Sequence, residues 1–567
     1  MPPLSRNETI KGESRLLRGT IAAGLEDAVT GAIAEDDTQL TKFHGIYQQD
    51  DRDLRPERAK KRMEKAYSFM ARVRIPGGVL TASQWLALTR LAETRANGTL
   101  RLTTRQTVQL HGVIKSNLRP AIQGIHAALL DTIAACGDVN RNVICTPFPA
   151  SPVHAEALAA ARAISGYLLP KSRAWHEIFI DGTPVTPTDE EEEPILGRTY
   201  LPRKFKIAIA IPPLNDVDVF AHDLGLIAIA EGGRVGAYNV VVGGGMGMTH
   251  GESDTFPRTG DVIGSVTPEQ VLALAEQVVT VQRDWGDRAD RKHARLKYTI
   301  ERRGLDAFKA ELERRLGFSL ALALPYHFDR SGDPTGWLVG EDGNAHYCLF
   351  VENGRIADRP GRALLSGLAA IASFHEGRFI ITPNQNLLIA DVPSAQRPRI
   401  EEALAAHGFD HGPSVLRRNA MACVALPTCG LALAESERYL PTLIDALEEI
   451  AAAAGLAADE IIIRMTGCPN GCARPYLAEI GLVGVRPGIY NLYLGGAFDG
   501  SRLSKLYRRE LTHDGILAAL RPLFAAYAAE RQRGERFSDF VIRTGVVRPT
   551  IAGNRFHEDL AGALAAA

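Results

Sequence analysis

The chain has 567 residues, of which 45% are hydrophobic and 23% are charged, as is typical of globular proteins that bury a large core. This length predicts roughly three to four domain-sized units. A formal net charge of −1 excludes a chain-wide attraction to nucleic acid or to a membrane surface, so any functional positive charge must be local. The odd number of cysteines, seven, argues against a secreted disulfide-stabilised protein. There is no apolar signal region and no apolar run long enough to span a membrane, so we expect a cytoplasmic protein.

Residues 1–60 are polar and charged. A charged run begins within this stretch at Arg55 and continues to Lys65. The composition favours a solvated N-terminal arm that leads into a helix. The alternative is a segment that docks a partner or covers a substrate site.

The body of the chain contains an internal duplication. The sequence LTTRQ at 102–106 returns as ITPNQ at 381–385, and each copy is followed by an apolar, strand-like stretch. The sequence YNVVVGG at 238–244 returns as YNLYLGG at 490–496. Two echoes in the same order with a similar offset predict two homologous halves around a pseudo-two-fold axis.

Short β-branched runs and longer amphipathic runs are interleaved along the chain, which predicts an α+β fold. The predicted strands are 108–113, 207–211, 240–242, 387–392 and 461–465, and the predicted helices are 155–167, 268–285, 305–316 and 439–453. A further helix is expected to begin near Ala473, where its free N–H groups would face the preceding loop.

Four cysteines in the C-terminal third have the most informative spacing. Cys423 and Cys429 are spaced C-x5-C, and Cys468 and Cys472 lie in the sequence TGCPNGC at 466–472. Four thiolates from two tight loops suit one cubane iron–sulfur cluster or one tetrahedral zinc ion. The x5 spacing is unusual for zinc, so the pattern favours a cluster, with zinc and unrelated thiols as the alternatives.

Several basic residues lie in or beside apolar segments, where an anionic ligand could bind. Arg101 and Arg105 have a spacing that would place them on one face of a strand, and Lys204 and Lys206 have the same property. Arg72 and Arg141 lie in two further segments of this kind. The alternative for the lysines is an exposed sheet edge that carries lysine to prevent aggregation.

These residues together identify a resemblance. The stretch GIYQQDDR at 45–52, the duplicated halves, the segment 201–206 and the four-cysteine signature resemble the siroheme-containing sulfite and nitrite reductases over nearly the whole chain. Within that family the chain is similar to the group that receives electrons from an NADPH-oxidising flavoprotein. The family implies an internally duplicated fold of three domains: an N-terminal arm at 1–60, two ferredoxin-like half-domain repeats at 61–135 and 335–412 that join each other, a siroheme lobe at 136–334, and a [4Fe-4S]/siroheme lobe at 413–567.

The resemblance also implies cofactors and residue roles. Cys423, Cys429, Cys468 and Cys472 would ligate a [4Fe-4S] cluster, and Cys472 would also be the axial ligand of siroheme. The residues implied at the catalytic, anion-binding side are Arg72, Arg141, Lys204 and Lys206. Arg101, Arg105 and Asn470 are implied to contact siroheme, whose carboxylates need cationic partners.

The implied reaction is the six-electron reduction of sulfite to sulfide in sulfate assimilation and cysteine biosynthesis. Lys204-Phe205-Lys206 matches the Lys-x-Lys of sulfite enzymes rather than the Lys-x-Asn of plant-type nitrite reductases. No dinucleotide-binding motif opens a βαβ unit, so electrons are expected from a partner, either a flavoprotein or ferredoxin. The resemblance implies that this partner is a flavoprotein (alpha) subunit that carries FAD and FMN. The alternatives are a ferredoxin-dependent nitrite or sulfite reductase, and a non-catalytic scaffold stabilised by zinc or a cluster.

Overall fold

The computed structural model describes residues 3–148, 150–171, 179–180, 183–184, 193–409 and 412–558. Two pairs of matching five-stranded sheets organise this part of the chain, together with helices that cover them. The α+β class and the internal duplication are therefore confirmed.

The first pair of sheets belongs to the two half-domain repeats. In spatial order the first sheet contains Ile46–Asp50, Tyr67–Arg72, Val108–Val113, Leu100–Leu102 and Arg355–Ile356. The second contains Gly336–Val339, Ala345–Leu349, Leu387–Val392, Arg378–Ile381 and Val79–Thr81. The fifth strand of each sheet comes from the other repeat and pairs antiparallel there. This reciprocal exchange makes the two repeats one intertwined domain.

A single hydrophobic core joins the two repeats. The helices Ala82–Arg95 and Lys115–Ala127 pack on the first sheet, and the helices Leu364–Ala372 and Arg397–Ala406 belong to the second repeat. Trp85 from the first repeat stacks on Phe379 from the second, with ring centroids 5.1 Å apart. Both rings are fully buried, so neither repeat has a complete core by itself.

The second pair of sheets forms two lobes with the same strand order. The sheet of the first lobe contains Asp261–Val266, Arg234–Val242, Leu224–Glu231, Ile207–Ala210 and Ile144–Cys145. The sheet of the second lobe contains Lys505–Leu511, Ile489–Leu494, Ile480–Arg486, Ile463–Thr466 and Ala420–Ala422. In both sheets the last three strands are parallel to one another, the second strand is antiparallel to the third, and the first is antiparallel to the second. The parallel strands are buried on both faces, which explains their continuous apolar sequences.

Helices cover the lobes, and the four predicted helices are among them. Those of the first lobe are Pro152–Tyr167, Val271–Trp285, Leu296–Arg303 and Leu305–Leu316, and those of the second are Val415–Arg418, Leu440–Ala453, His513–Glu530 and Phe537–Arg543. The helix predicted from 155 begins earlier because the Ser151 hydroxyl accepts the backbone N–H of His154 as an N-cap. The first three residues predicted for 268–285 form a 3-10 turn, Pro268–Gln270.

The solvated-arm interpretation of residues 1–60 is wrong. The helix Arg6–Glu13 buries Glu8 and Lys11, and the Lys11 ammonium donates to the Leu201 carbonyl at 2.9 Å. The strand Ile46–Asp50 is the edge strand of the first sheet, and two short helices, Ile21–Glu26 and Asp37–Leu40, precede it. The arm is therefore part of the folded body, because its charged residues find partners on the first lobe.

Among the described residues, the helices are all too short or too polar to cross a membrane.

Candidate cofactor and anion site

The two cysteine pairs meet because of sheet topology. Ala420–Ala422 and Ile463–Thr466 are adjacent parallel strands, so the loops that follow them leave the same edge of the sheet. Cys423 follows the first strand directly, and Cys468 follows the second after one glycine. Ligands bind at this edge in open α/β sheets, which is where the two loops converge.

The four thiols lie close enough to interact electrostatically. Burial raises the pKa of Cys423, Cys429 and Cys468, and the neighbouring sulfurs, with Cys472 the largest contributor in each case, raise it further. The pKa of Cys468 reaches about 12. Thiolates this close together need a cation among them, which iron supplies in a cluster and zinc in a mononuclear site.

The distances between the sulfur atoms distinguish a mononuclear zinc site from an iron–sulfur cluster. A tetrahedral zinc with Zn–S bonds of about 2.3 Å holds its sulfurs roughly 3.8 Å apart. Among the residues that the structure describes, no three of these sulfurs lie within 4.8 Å of one another. In the described part of the chain the sulfurs therefore lack the arrangement that one zinc ion requires, and four thiolates from two loops suit the larger cubane of a [4Fe-4S] cluster.

The helix expected to begin near Ala473 does not form. Arg474 adopts a left-handed conformation with φ 54°, and only a 3-10 turn, Pro475–Leu477, precedes the next strand. The sulfurs instead receive N–H groups from within the loops: the backbone of Gly467 donates to Cys423 Sγ at 3.4 Å, and the Asn470 amide lies 3.6 Å from Cys468 Sγ. Such bonds tune cluster potentials, so the electrostatic role assigned to the helix passes to these donors.

A pocket lies beside Cys472, where the first repeat and both lobes meet. It encloses about 360 Å³ of space, part of it open to solvent. Its polar lining consists of Thr104, Arg105, Lys204, Lys206, His222, Arg295, Asn470, Cys472 and Arg474. Of the predicted site residues, this pocket brings together both lysines, Arg105, Asn470 and Cys472.

The pocket contains more positive charge than the protein neutralises. Asp223 accepts two bonds from Arg295, at 3.1 and 2.8 Å, and Asp218 pairs with Arg474. In the described part of the chain, the ammonium groups of Lys204 and Lys206 have no hydrogen-bond acceptor and no carboxylate partner. An excess of partly buried cations is unfavourable unless an anion balances it, so the pocket fits a polyanionic group.

Arg105 supports the same conclusion. Its Nη2 donates to the Ile207 carbonyl at 2.9 Å and to the Asn142 carbonyl, and its Nη1 donates to His222 Nδ1 at 3.2 Å. Its Nε is buried and has no acceptor in the structure, which leaves one N–H for a ligand. A carboxylate of a bound cofactor is the acceptor that this donor needs.

The two lysines are suited to proton transfer. Burial lowers the pKa of Lys204 to about 7, and Arg203 and Arg295 contribute to the lowering. Burial also lowers the pKa of Lys206 well below its usual value, with Lys204 as the next cause. An amine that titrates near neutral pH can both hold an anion and release a proton.

Arg72 and Arg141 form a second cationic group next to Arg105. Arg72 Nη1 lies 3.2 Å from Cys136 Sγ, and Arg141 Nε donates to the Gly137 carbonyl at 2.8 Å. The buried phenol of Tyr47 bonds to Arg141. Both arginines add to the positive potential at Arg105, so the two groups form one continuous field. Sequence reasoning missed Tyr47, although it lies in the arm stretch that carried the resemblance.

Arg101 lies elsewhere. Its strand ends at Leu102 and Arg105 lies in the following turn, so the same-face argument for this pair is wrong. Arg101 donates to the Glu437 carboxylate at 2.9 Å and to the Ala422 carbonyl at 3.0 Å, next to Cys423. The Glu437 carboxylate balances the positive charge of Arg101, so charge balance gives no support for a contact between Arg101 and a cofactor. That contact stays a prediction.

Three ionisable pocket residues escaped sequence reasoning: His222, Arg295 and Arg474. None belongs to a repeated or spaced motif, although Arg474 follows Cys472 by two residues. His222 Nε2 donates to the Val217 carbonyl at 2.8 Å, so its Nδ1 is the acceptor for Arg105. The three remaining cysteines, Cys136, Cys145 and Cys348, are all buried.

The chain is similar to known proteins over nearly its whole length. The model of the nitrite/sulfite reductase ferredoxin-like half domain matches residues 61–128 and 339–407, and that of the nitrite and sulphite reductase 4Fe-4S domain matches residues 160–320. A sulfite reductase [NADPH] hemoprotein beta-component from Methylobacterium nodulans is 60% identical over 99% of this chain and 94% of its own length. The protein of the same name from Geobacillus kaustophilus is 56% identical over 98% of both chains. The solved structure of Mycobacterium tuberculosis NirA is similar with a TM-score of 0.78 and 26% identity, covering 95% of this chain and 96% of the other.

Proposed function

The chain belongs to the family of nitrite and sulfite reductases, and from this premise we propose that it is the hemoprotein component of an assimilatory, NADPH-dependent sulfite reductase. Its reaction is the six-electron reduction of sulfite to sulfide, which provides sulfide for cysteine biosynthesis. The observation that supports this most directly is the pocket beside Cys472, where Arg105, Lys204 and Lys206 lack carboxylate partners among the described residues.

The residues present fit both cofactors of the proposed enzyme. Cys423, Cys429, Cys468 and Cys472 would hold the [4Fe-4S] cluster, and Cys472, the solvent-exposed one, would also be the axial ligand of siroheme. Arg105 and Asn470 line the pocket at positions from which they would bind the carboxylate-rich macrocycle. When bound, the coupled cofactors supply electrons to the substrate one at a time.

The protein side chains supply charge and protons. Lys204 and Lys206 attract a small oxyanion, and Lys204, with a pKa near 7, is suited to donate protons as S–O bonds break. Guanidinium groups are suited to bidentate binding of oxyanions, so Arg72 and Arg141 would clamp substrate oxygens rather than transfer protons. Their position beside Arg105 extends the positive potential over the anion-binding side.

Sulfite is the preferred substrate because two lysines line the pocket. A dianion with three oxygens gains more than a monoanion with two from a second ammonium group. Nitrite reduction with ferredoxin as the donor is the alternative activity, and turnover with each anion distinguishes the two.

The electron donor is proposed to be a flavoprotein (alpha) subunit that carries FAD and FMN and oxidises NADPH. Relatives of 56–60% identity are named as beta-components of an NADPH enzyme, which supports a two-component assembly. We place the assembly in the cytoplasm, where sulfide is consumed in biosynthesis.

A visible absorption spectrum tests the proposal. The protein is purified from cells that make siroheme, and spectra are recorded before and after dithionite, and again after sulfite. Isobacteriochlorin bands that shift on reduction and again with sulfite are expected for a [4Fe-4S] siroheme enzyme. Metal analysis should give about five iron per chain, four from the cluster and one from siroheme, and about four labile sulfide. A colourless protein that contains zinc, or one that turns over nitrite but not sulfite, would overturn the proposal.

A further inference from the structure

A small aromatic core lies directly behind the loop that carries Cys468 and Cys472. Gly471, between these cysteines, has φ 62°, and a Cβ on it would lie 3.1 Å from the ring of Tyr476 and 3.2 Å from the Met246 carbonyl. The loop that carries Cys468 and Cys472 therefore packs directly on the Tyr476 ring. Because the loop backbone is in close contact with this ring, any shift of the ring moves the loop.

The carbonyl of Pro469 fixes the same loop from two sides. It accepts the backbone N–H of Met248, in the first lobe, at 2.9 Å and the hydroxyl of Tyr476 at 3.3 Å. A donor from each lobe thus holds one peptide group between the two cysteines. The loop geometry depends on how the lobes are joined at this point.

Phe556 completes the aromatic core from the C-terminal end of the described chain. It is 1% exposed, its ring meets the Tyr476 ring edge-on at 5.6 Å, and it stacks on Tyr493 at 5.9 Å. Tyr476 and Tyr493 also meet edge-on at 5.3 Å. Three aromatic rings in mutual contact have one well-packed arrangement, so Phe556 fixes where the Tyr476 ring lies.

The segment Gly553–Glu558, here called the C-terminal clasp, is anchored to both lobes. On the first lobe, Asn554 donates to Glu301 at 2.9 Å and His557 Nε2 lies 2.9 Å from the Thr255 carbonyl. A Cβ on Gly553 would lie 2.8 Å from the Pro257 carbonyl, so only glycine permits this approach. On the second lobe, the Lys505 ammonium donates to the Arg555 carbonyl at 3.2 Å.

We propose that the C-terminal clasp positions the cluster loop, and that Phe556 is the positioning residue that acts through Tyr476 on Pro469 and Gly471. Phe556 touches neither cysteine. Its effect is to keep the sulfurs of Cys468 and Cys472 in the geometry that retains the cluster. Residues outside the ligand set that orient metal ligands typically change metal affinity by roughly 10- to 100-fold when they are lost.

This inference rests on the proposed function, because it requires a bound cluster. The experiment compares full-length holoprotein with Phe556→Ala and measures the rate of iron release to a chelator and the EPR spectrum of the reduced cluster. We expect iron release to accelerate roughly tenfold or more and the EPR signal of the retained cluster to change. The variant Phe556→Tyr, which preserves the ring, should restore both values.

Two further variants separate positioning from general stability. Phe524→Ala removes an equally buried ring of the second lobe that packs on Phe537, outside the aromatic core. It should lower stability but leave the EPR spectrum and the iron release unchanged. The double variant Asn554→Ala/His557→Ala keeps the rings of Phe556, Tyr476 and Tyr493. It removes the side-chain bonds of the clasp to the first lobe, together with the His557 ring that packs edge-on against Phe556, and it should accelerate iron release in the same direction as Phe556→Ala.

The results have distinct meanings. Iron release and EPR spectra of Phe556→Ala that equal those of the wild type, or effects of Phe524→Ala that match those of Phe556→Ala, would overturn the role of the clasp and leave the proposed function intact. A wild type purified without iron from siroheme-competent cells would overturn both.

Discussion

Glu437 joins three parts of the molecule through one buried carboxylate, and its replacement gives a prediction with a definite size. The side chain is 12% exposed and accepts Arg101 Nε at 2.9 Å, Arg355 Nε at 2.6 Å and Arg355 Nη2 at 3.0 Å. Burial alone would raise the pKa of Glu437, but Arg101 and Arg355 lower it to about 2 from the usual 4.5. That difference corresponds to about 3 kcal/mol of stability at neutral pH.

The variant Glu437→Gln keeps the shape but leaves two buried guanidinium groups without a counter-charge. We expect it to lower the free energy of unfolding by about 3 kcal/mol, within the range known for one-sided removal of a buried ion pair. The measurement is urea denaturation at pH 7 followed by far-UV circular dichroism. The control Glu435→Gln removes a carboxylate that is 36% exposed and pairs with Arg438, itself 45% exposed, and should cost less than about 1 kcal/mol.

The pH dependence has a defined sign. Because folding lowers the pKa of Glu437, its contribution is complete above about pH 5 and is lost as the pH falls from 4.5 towards 2. Roughly a quarter of the contribution is gone at pH 4 and more than half at pH 3, so the wild type and Glu437→Gln should converge over this range. A cost for Glu437→Gln no greater than that of Glu435→Gln would show that the reasoning about this carboxylate is wrong.

The same site tests the role of Arg101. Because Glu437 balances its charge, Arg101→Met should lower stability and leave siroheme content per chain close to normal. Siroheme absorbance that falls in Arg101→Met, with stability unchanged, would instead support the cofactor contact that the family resemblance implies.

Three further predictions follow from the site. Cys472→Ser should abolish sulfide formation and the magnetic coupling between cluster and siroheme seen by EPR, and a variant that keeps full sulfite reduction would refute the axial-ligand assignment. Lys204→Met and Lys206→Met should each slow sulfite reduction by about tenfold or more, because one charge-assisted contact contributes about 1.5–3 kcal/mol. Siroheme absorbance should stay normal in both variants. Unchanged kinetics in both would refute the anion site. Asp218→Asn should cost about 3–5 kcal/mol in urea denaturation, because it leaves two buried arginines unpaired, and a cost below 1 kcal/mol would contradict this.

The sequence by itself was sufficient to predict several helices and strands and the type of metal centre. Apolar periodicity placed the helix Leu305–Leu316 and the strands Val108–Val113 and Leu387–Val392 as the structure has them. This succeeds because burial of one face leaves a period in the sequence that local reading can detect. The cysteine spacing favoured a cluster over zinc, and the echoed segments revealed the duplication, because both signals are continuous in the chain.

Only the tertiary structure decided which charges face the pocket. Arg101 and Arg105 are four residues apart, yet Arg101 pairs with Glu437, whereas Arg105 lines the pocket with Cys472 and its Nε has no acceptor among the described residues. Arg295 and Arg474 enter the pocket from segments with no motif. Charge balance depends on partners hundreds of residues away, and sequence spacing contains no information about such contacts.

The N-terminal arm and the strand exchange show that long-range contacts also decided parts of the fold. A polar composition favoured a solvated arm, but Lys11 is buried against Leu201 and Ile46–Asp50 forms a sheet edge. The duplication was readable, whereas the exchange of Val79–Thr81 and Arg355–Ile356 between repeats was not. Local sequence determined what each segment could form. The long-range pairing of backbone groups and charges determined where it lies, because those interactions are satisfied only when distant segments meet.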